Sequence, residues 1–182
     1  MNLSKTIIHL CAKQGSDSLP YKEAGYNIIL VNEEMDVRKF IPPKSVHGII
    51  ANPPCTHLAG SGARWWEAKG ESALLEALSI CDACLRIVWL CRKTLEWWSL
   101  ENPVGRLSRY YGKPTLYYQP NEYGDPYTKK TCVWGEFNIP LKNYVEPTEG
   151  SKMHLLPPSD NRADLRSECS PGFAKAFFEA NP

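Results

Sequence analysis

Residues 47–55 read His47-Gly48-Ile49-Ile50-Ala51-Asn52-Pro53-Pro54-Cys55, and this stretch decides the fold. Its first five residues form a continuous apolar run that ends abruptly at Asn52-Pro53-Pro54. A run that is apolar at consecutive positions is typical of a strand buried on both faces, as in a parallel sheet covered by helices. The stretch therefore predicts a central parallel strand with Cys55 just beyond its carboxyl end.

Two similar strands precede it. Thr6-Ile7-Ile8-His9-Leu10 is a short β-branched run, followed by a polar loop over residues 12–18 and a brief helical stretch that Gly25 closes. Asn27-Ile28-Ile29-Leu30-Val31 is another continuous apolar run. Three strands joined by short connections predict a doubly wound α/β sheet.

The longest helical pattern runs from Glu71 to Arg92, with apolar residues at a period close to 3.6 and charges on the opposite side. This helix is expected to pack on the sheet. Ser170 as N-cap and Pro171 at the first turn predict a closing helix over Pro171–Ala180. Further strands are predicted at residues 97–103, 115–118 and 130–134, and prolines between residues 143 and 166 indicate an irregular excursion.

Length and composition favour one domain over residues 1–182. The chain has 182 residues, of which 43% are hydrophobic and 23% charged, which suffices for one core. With 21 Lys and Arg against 20 Asp and Glu, the net charge of +1 excludes a basic tail, so nucleic acid would bind through a local patch.

The cysteines and the apolar segments indicate the compartment. The seven cysteines are odd in number and most lie in apolar runs, which argues against a disulfide framework. No segment approaches the roughly 18 uncharged apolar residues that span a bilayer. We expect a soluble protein of a reducing compartment, without a membrane partner.

Cys55 is the first candidate for chemistry. Reacting groups of open α/β sheets gather at the carboxyl ends of the strands, and the two prolines before Cys55 stiffen the turn that would hold its thiolate. An isolated Pro-Cys pair is more often a small residue in a turn. Glu101-Asn102-Pro103 also ends a predicted strand and can face the same crevice.

A thiolate from Cys55 and a carboxyl group from Glu101 would together suit attack on a pyrimidine ring. A thiolate that adds to C6 of the ring requires neutralisation of charge elsewhere, and a carboxylic acid bonded to N3 and the exocyclic amine supplies it. Glu101 can fill that role. On its own, a carboxylate at a strand end is more simply a surface group.

Pro54-Cys55 followed by Glu101-Asn102 resembles the motif order of DNA cytosine-5 methyltransferases, in particular their very short phage-encoded members. The resemblance implies a Rossmann-like S-adenosylmethionine-dependent methyltransferase fold with a mostly parallel sheet flanked by helices. It implies that Cys55 attacks C6 of cytosine and that Glu101 stabilises the protonated ring, with Asn102 in the same motif. Pro103 stands where the family usually has valine.

The same resemblance implies a cofactor, S-adenosylmethionine. The loop after the first strand occupies the place of the glycine-rich cofactor loop, although it keeps only Gly15 of the glycines and has Lys13 in place of one. Glu33 matches the acidic residue for the ribose hydroxyls. The residues assigned to the cofactor are Cys11, Ala12, Gly15, Ser16, Glu33, Asp36, Val37 and Pro53. Each acid among them also suits a solvated surface.

Two later segments follow the family order. Residues 126–131 stand where the family has a Pro-Gln-x-Arg-x-Arg motif; both arginines are missing, and Lys129 is the residue expected to supply positive charge there. A lysine cannot reproduce the forked geometry of an arginine. Ser170-Pro171-Gly172-Phe173-Ala174 resembles the last motif, which lines the cofactor pocket.

DNA is the partner that the resemblance implies. Between Glu136 and Cys169 there is room only for a loop in place of a target-recognition region, so sequence selectivity is expected to be low or to come from a targeting protein. A single-stranded substrate avoids the cost of flipping the base. Arg64 and Trp65, with Trp66, are candidates for phosphate contact and stacking, and Arg106 and Arg109, with Lys113, form a basic cluster. Packing in the core and a solvated face are the respective alternatives. The family relationship implies the cytoplasm of a phage-infected or prophage-bearing bacterium.

Other functions remain open at this stage. Asn52-Pro53-Pro54-Cys55 also resembles the Asn-Pro-Pro-aromatic motif of amino-methyltransferases, without its aromatic residue. A non-catalytic or repurposed relative that binds DNA or nucleotides is a second possibility, and a different one-carbon donor, such as an acidic S-adenosylmethionine derivative paired with Lys13, is a third. Cys81, Cys84 and Cys91 suit core packing of a helix, so no metal is assigned.

Overall fold

Six strands form one mixed sheet at the centre of the structure, a computed structural model that describes residues 5–160 and 162–182. The strands are β1 (Thr6–Leu10), β2 (Asn27–Val31), β3 (Gly48–Ala51), β4 (Trp97–Pro103), β5 (Leu116–Tyr118) and β6 (Thr131–Glu136). Their order across the sheet is β2-β1-β3-β4-β6-β5. The predicted strands are thus all present, with ends shifted by two residues or fewer.

The sheet is parallel on one side and antiparallel on the other. β1 pairs in parallel with β2 and β3, and β3 pairs in parallel with β4, whereas β6 is antiparallel to both β4 and β5. The prediction of an α/β fold with flanking helices is confirmed. The single reversed strand was not predicted, and it arises because the connection from β5 to β6 holds only one short 3-10 helix, too little for a crossover between parallel strands.

Six helices accompany the sheet in the described part of the chain. They are α1 (Leu19–Glu23), α2 (Trp66–Cys91), α3 (Ser108–Tyr111), α4 (Lys152–Leu155), α5 (Arg162–Ser167) and α6 (Pro171–Ala180). Gly70 interrupts α2 with a φ of 74°, so its regular part follows this residue, as predicted. The closing helix α6 has the predicted bounds, and the Ser170 hydroxyl accepts a hydrogen bond from the Phe173 amide.

Both faces of the sheet are covered by apolar side chains. On one face Ile8, Ile49 and Leu100 pack with the helix α2, including its buried Cys81, Cys84 and Cys91. The opposite face packs against aromatic residues of α1 and α6, among them Tyr21, Phe173 and Phe177. Adjacent strand residues such as Ile7 and Ile8 therefore lie in different cores, which accounts for the continuous apolar runs. The predicted packing of the α2 cysteines in the core is confirmed, and all seven cysteines of the chain are free.

Gly48 is where one strand passes closest to a large side chain. A Cβ atom on this residue would lie 2.3 Å from Cζ2 of Trp97, the neighbouring residue on β4. We expect Gly48→Ala to lower the free energy of unfolding by about 1–3 kcal/mol, because the indole must move within a packed core.

Urea denaturation of wild type and variant measures this loss. Gly62→Ala is the matched control, since its Cβ would lie 3.9 Å from the nearest atom, the Thr56 carbonyl oxygen. Equal unfolding midpoints for Gly48→Ala and Gly62→Ala would show that the contact with Trp97 relaxes at no cost.

Candidate functional site

A cleft of about 1020 Å³ opens at the carboxyl ends of the parallel strands. The loops that follow β1, β2 and β3 line it, together with the end of β4 and residues 128–130 and 166–168. The ends of parallel strands meet at one edge of a sheet, so side chains distant in sequence converge here. The cleft has the size of a site for a small ligand or cofactor.

Cys55 lies in the turn after β3 and lines this cleft. The backbone amides of Leu58 and Ala59 both donate to the Cys55 carbonyl oxygen, at 2.9 Å each, so the turn closes directly on this residue. Burial raises the pKa of the thiol and the Glu101 carboxylate raises it further, while the positive charges of Lys129 and Arg166 lower it. Burial is therefore the main influence on the pKa of the thiol, and three ionisable side chains modify it.

Glu101 reaches the same cleft from β4. Leu100 pairs with Ala51 of β3, which brings Asn52 beside Glu101, and the Asn52 amide nitrogen donates to Oε2 of Glu101 at 3.4 Å. Burial raises the pKa of Glu101 to about 7, with Lys129 opposing the rise and Asp17 adding to it. At neutral pH this carboxyl group is close to half protonated, so it can both accept and donate a proton.

Asn102 lies on the other side of its strand. Successive strand residues face opposite ways, so this neighbour of Glu101 is fully buried and does not line the cleft. Its side-chain nitrogen donates to the Pro53 carbonyl oxygen at 2.9 Å. Asn102 therefore ties the turn that carries Cys55 to β4, a structural contact at a position that the sequence assigned to catalysis.

Two positive charges from different segments enter the cleft. Lys129 lines it as predicted, and its ammonium group donates to the Glu168 carbonyl oxygen at 2.9 Å. Arg166 of α5 lines the cleft too. The sequence did not point to Arg166, because this residue belongs to the irregular excursion and to no motif, 35 residues beyond Thr131, where the segment without arginines ends.

The loop after β1 forms another part of the cleft. Cys11, Gly15 and Ser16 line it, as does Lys13. Ala12 is buried instead, and its amide donates to the Val31 carbonyl oxygen at 3.0 Å, so it holds the loop to β2.

Gly15 is required by the shape of this loop. Its φ of 77° lies in the left-handed region, and a Cβ atom there would lie 3.3 Å from a methyl group of Leu30. The one glycine that the loop retains is thus at a position where the backbone needs it.

The remaining residues assigned to a cofactor also line the cleft, namely Glu33, Asp36, Val37 and Pro53. The carboxylate of Asp36 is already bound by Arg38. The Arg38 guanidinium donates to both Asp36 oxygens, at 2.8 and 3.1 Å, and holds the pKa of Asp36 below its usual value.

Arg86 of α2 supports the connection that carries these residues. Its Nη2 atom donates to the carbonyl oxygens of Val37, Arg38 and Phe40, at 3.3, 3.2 and 3.1 Å. A connection without a helix of its own is in this way fastened to α2, so the side of the cleft near Asp36 is held by the scaffold.

The residues expected to contact DNA divide into two groups. Arg64 and Trp65 line the cleft; Trp65 is 53% exposed, with the Arg64 guanidinium 5.1 Å from its ring. Arg106 is buried instead, donates from Nε to the His57 carbonyl oxygen at 2.7 Å and lies over the Trp66 ring. Arg109 is exposed and does not line the cleft. Proximity to Glu101 in sequence did not place these two arginines at the cleft, because the chain turns away after β4.

His9 was not singled out by the sequence, where it lies within a short apolar run. The structure buries it to 2% exposure at the floor of the cleft. Both ring nitrogens have partners: Nδ1 lies 3.0 Å from Oγ of Ser18 and Nε2 lies 2.8 Å from Oδ1 of Asn52. A histidine placed between the loop of Gly15 and Glu101 belongs to the site.

Residues 5–160 and 162–182 contain no group of three or more His, Cys, Asp or Glu side chains arranged to hold a metal ion. In the same part of the chain, no helix has the length and apolar character needed to cross a membrane.

Comparison with models of known protein families found no match, and comparison with curated proteins found none. Its function therefore has to be argued from the chemistry of the cleft.

Proposed function

We propose that this protein transfers a methyl group from S-adenosylmethionine to C5 of cytosine in DNA. The observation that carries the proposal is the pair Cys55 and Glu101. The two side chains come from the ends of adjacent parallel strands, line one cleft and interact electrostatically. A nucleophilic thiol beside a carboxyl group that can hold a proton near pH 7 suits addition to a pyrimidine ring.

The chemistry needs one proton shared between these two groups. The Cys55 thiolate adds to C6 of cytosine while the Glu101 carboxyl group donates its proton to N3, which leaves a nucleophilic carbon at C5. Lys129 and Arg166 favour the thiolate because their charges lower the pKa of Cys55. After transfer, solvent water accepts the C5 proton, the bond between Cys55 and C6 breaks to release the thiolate, and N3 returns its proton to Glu101.

The part of the cleft near Gly15 suits the cofactor. S-adenosylmethionine supplies an electrophilic methyl group when it is bound. The left-handed turn at Gly15 brings the backbone of the loop against the cleft, and Glu33 presents a carboxylate suited to the hydroxyl groups of a ribose. Pro53 and Val37 add apolar surface. A sheet with one antiparallel strand next to its edge is compatible with a Rossmann-like methyltransferase fold.

The DNA substrate enters as a single strand or as an extrahelical base, since a base in a stacked duplex cannot reach Cys55. Trp65 and Arg64 at the rim of the cleft suit stacking and phosphate contact. Between β6 and α6 the described chain holds only the short helices α4 and α5, so sequence selectivity is low or comes from a targeting protein.

Transfer to an exocyclic amine is the less supported alternative. That chemistry needs the Asn52 side chain to grip the amine, but its oxygen lies 2.8 Å from His9 and its nitrogen faces Glu101. The other alternative is that this protein binds DNA or nucleotides without catalysis. The same cleft would serve that function, and an activity assay distinguishes the two.

The assay uses S-adenosylmethionine with a deuterated methyl group, cytosine-containing oligonucleotides in single-stranded and duplex form, and mass spectrometry of the digested nucleosides. Deuterated 5-methylcytosine, formed faster on the single strand, is the expected product. N4-methylcytosine would favour the amine reaction. No product from folded protein, on either substrate, would contradict the proposal; an oligonucleotide without cytosine is the control.

A further inference from the structure

A hydrogen-bonded chain connects the loop after β1 with Glu101. Oγ of Ser18 lies 3.0 Å from the Gly15 carbonyl oxygen and 3.0 Å from Nδ1 of His9, and its single proton can be donated to one or the other. Nε2 of His9 lies 2.8 Å from Oδ1 of Asn52, whose nitrogen lies 3.4 Å from Oε2 of Glu101. The chain spans β1, the turn after β3 and β4; His9, Asn52 and Glu101 line the cleft, and Ser18 is buried.

The chain limits how protons can be placed. Burial lowers the pKa of His9, so the ring is neutral and has one donor and one acceptor nitrogen. With the proton on Nε2, His9 donates to the Asn52 oxygen, the Asn52 amide group donates to Glu101, and Ser18 donates to Nδ1. Oε2 of Glu101 is then an acceptor, and its proton occupies Oε1, the oxygen that remains free for the substrate.

The opposite tautomer reverses every link. With the proton on Nδ1, His9 donates to Ser18, the Asn52 amide group must turn to donate to Nε2, and Glu101 must then donate its own proton to the Asn52 oxygen. In that arrangement the Ser18 hydroxyl is free to donate to Gly15. The proton of Glu101, the His9 tautomer and a hydrogen bond in the loop of Gly15 are therefore linked.

We propose that His9 and Asn52 are positioning residues that hold the Glu101 carboxyl group and select which of its oxygens carries the proton presented to the substrate. The proposal rests on the proposed function in one respect, the role of Glu101 toward the pyrimidine. A buried imidazole with a partner on each nitrogen fits this role. Burying a polar ring without partners costs free energy, so a position that only had to fill space would be occupied at lower cost by an apolar side chain.

Several other groups act on Glu101, and the test must separate them from the chain. They are Asp17, Cys55, Tyr118, Lys129, Cys132 and Cys169. None of them is the partner that Asn52 is, with its amide nitrogen 3.4 Å from Oε2 of Glu101. Asp17 also lies 3.8 Å from Nε2 of His9, so Asn52→Leu, which keeps both His9 and Asp17, is the variant that isolates the hydrogen bond to Glu101.

The experiment measures the rate of Cys55 alkylation by iodoacetamide against pH, with the modified peptide followed by mass spectrometry. Ionised Glu101 disfavours the Cys55 thiolate. The logarithm of the rate therefore rises with pH, and the slope of this rise decreases near pH 7, where Glu101 loses its proton; this change of slope is the bend. Glu101→Gln should remove the bend, which identifies its origin. Neither cofactor nor DNA is present, so the result is independent of whether methyl transfer occurs.

Asn52→Leu removes the donor to the carboxylate at similar volume, and we expect the bend to move up by about one pH unit. His9→Leu should move it in the same direction by less, because the Asn52 amide group can then rotate. His9→Gln, which offers an amide near the position of Nε2, should restore it nearly to the wild-type pH.

Circular dichroism establishes that each variant is folded. If His9→Leu does not fold, Asn52→Leu and His9→Gln still carry the test. A bend in folded Asn52→Leu within about 0.2 pH unit of wild type, well under the shift that loss of a hydrogen bond to a carboxylate causes, would overturn the proposal. If the wild-type protein shows the bend near pH 7 but transfers no methyl group to cytosine, that result would instead count against the proposed function.

Discussion

Replacing Cys55 with serine is expected to lower kcat/KM for methyl transfer to cytosine by a factor on the order of 10⁴, as removal of an enzyme's nucleophile typically does. A serine hydroxyl has nearly the size of the thiol, but it does not ionise in the range where Lys129 and Arg166 could stabilise its anion. Addition to C6 would therefore lack its nucleophile, while the cleft around Gly15 and Asp36 would remain intact.

One binding measurement and one control variant accompany Cys55→Ser. Isothermal titration should show unchanged affinity for S-adenosylmethionine, which separates loss of chemistry from loss of folding. Cys91→Ala is the matched control, since this buried cysteine belongs to α2 and does not line the cleft. If Cys55→Ser retained more than about a tenth of wild-type activity, a loss far below that of a missing nucleophile, Cys55 would not be the attacking group.

Glu101→Gln is expected to lower methyl transfer by about 10²- to 10⁴-fold, the range for loss of a general acid or base. Glutamine keeps the shape and a hydrogen-bond donor but cannot give a proton to N3. Asp17→Asn is the comparison, because it changes a charge near Glu101 without removing the group itself and should cost much less.

The pH dependence of kcat/KM, compared between wild type and Glu101→Gln, tests whether Cys55 and Glu101 share one proton. Glu101 loses its proton near pH 7, and the pKa of Cys55 lies above the usual value for a thiol because the side chain is buried and close to Glu101. Between these two values the pair holds one proton, so kcat/KM should rise up to about pH 7 and fall above the pKa of Cys55.

In Glu101→Gln the lower limb should move upward in pH, since only ionisation of Cys55 then produces the thiolate. Rates measured between pH 6 and 10 in overlapping buffers decide this. A variant with the same two limbs as wild type would show that Glu101 does not hold the proton.

The framework of the site follows from local sequence. Continuous apolar runs predicted β1 to β3, and the ends of β3 and β4 predicted that Cys55 and Glu101 face one crevice. These predictions succeed because a strand buried on both faces leaves a clear pattern and because parallel strands end at the same edge.

The residues that surround Cys55 and Glu101 and influence their charge were less predictable from the sequence. Arg166 reaches the cleft from a short helix without a motif, and His9 lies inside an apolar run whose neighbours are all core residues. Arg106 shows the opposite error: a basic residue near Glu101 in sequence is buried against Trp66 and the His57 carbonyl group. Such contacts depend on tertiary packing, for which the local pattern carries no signal.

The most direct test of cytosine-C5 transfer is covalent trapping with a single-stranded oligonucleotide that contains 5-fluorocytosine, in the presence of S-adenosylmethionine. Fluorine at C5 cannot leave as a proton does, so the bond between Cys55 and C6 cannot be cleaved after transfer. The account predicts an adduct with the mass of protein, oligonucleotide and one methyl group, with the attachment at Cys55 and no adduct in Cys55→Ser. Folded protein that forms no adduct, or one attached at Cys169, would contradict it.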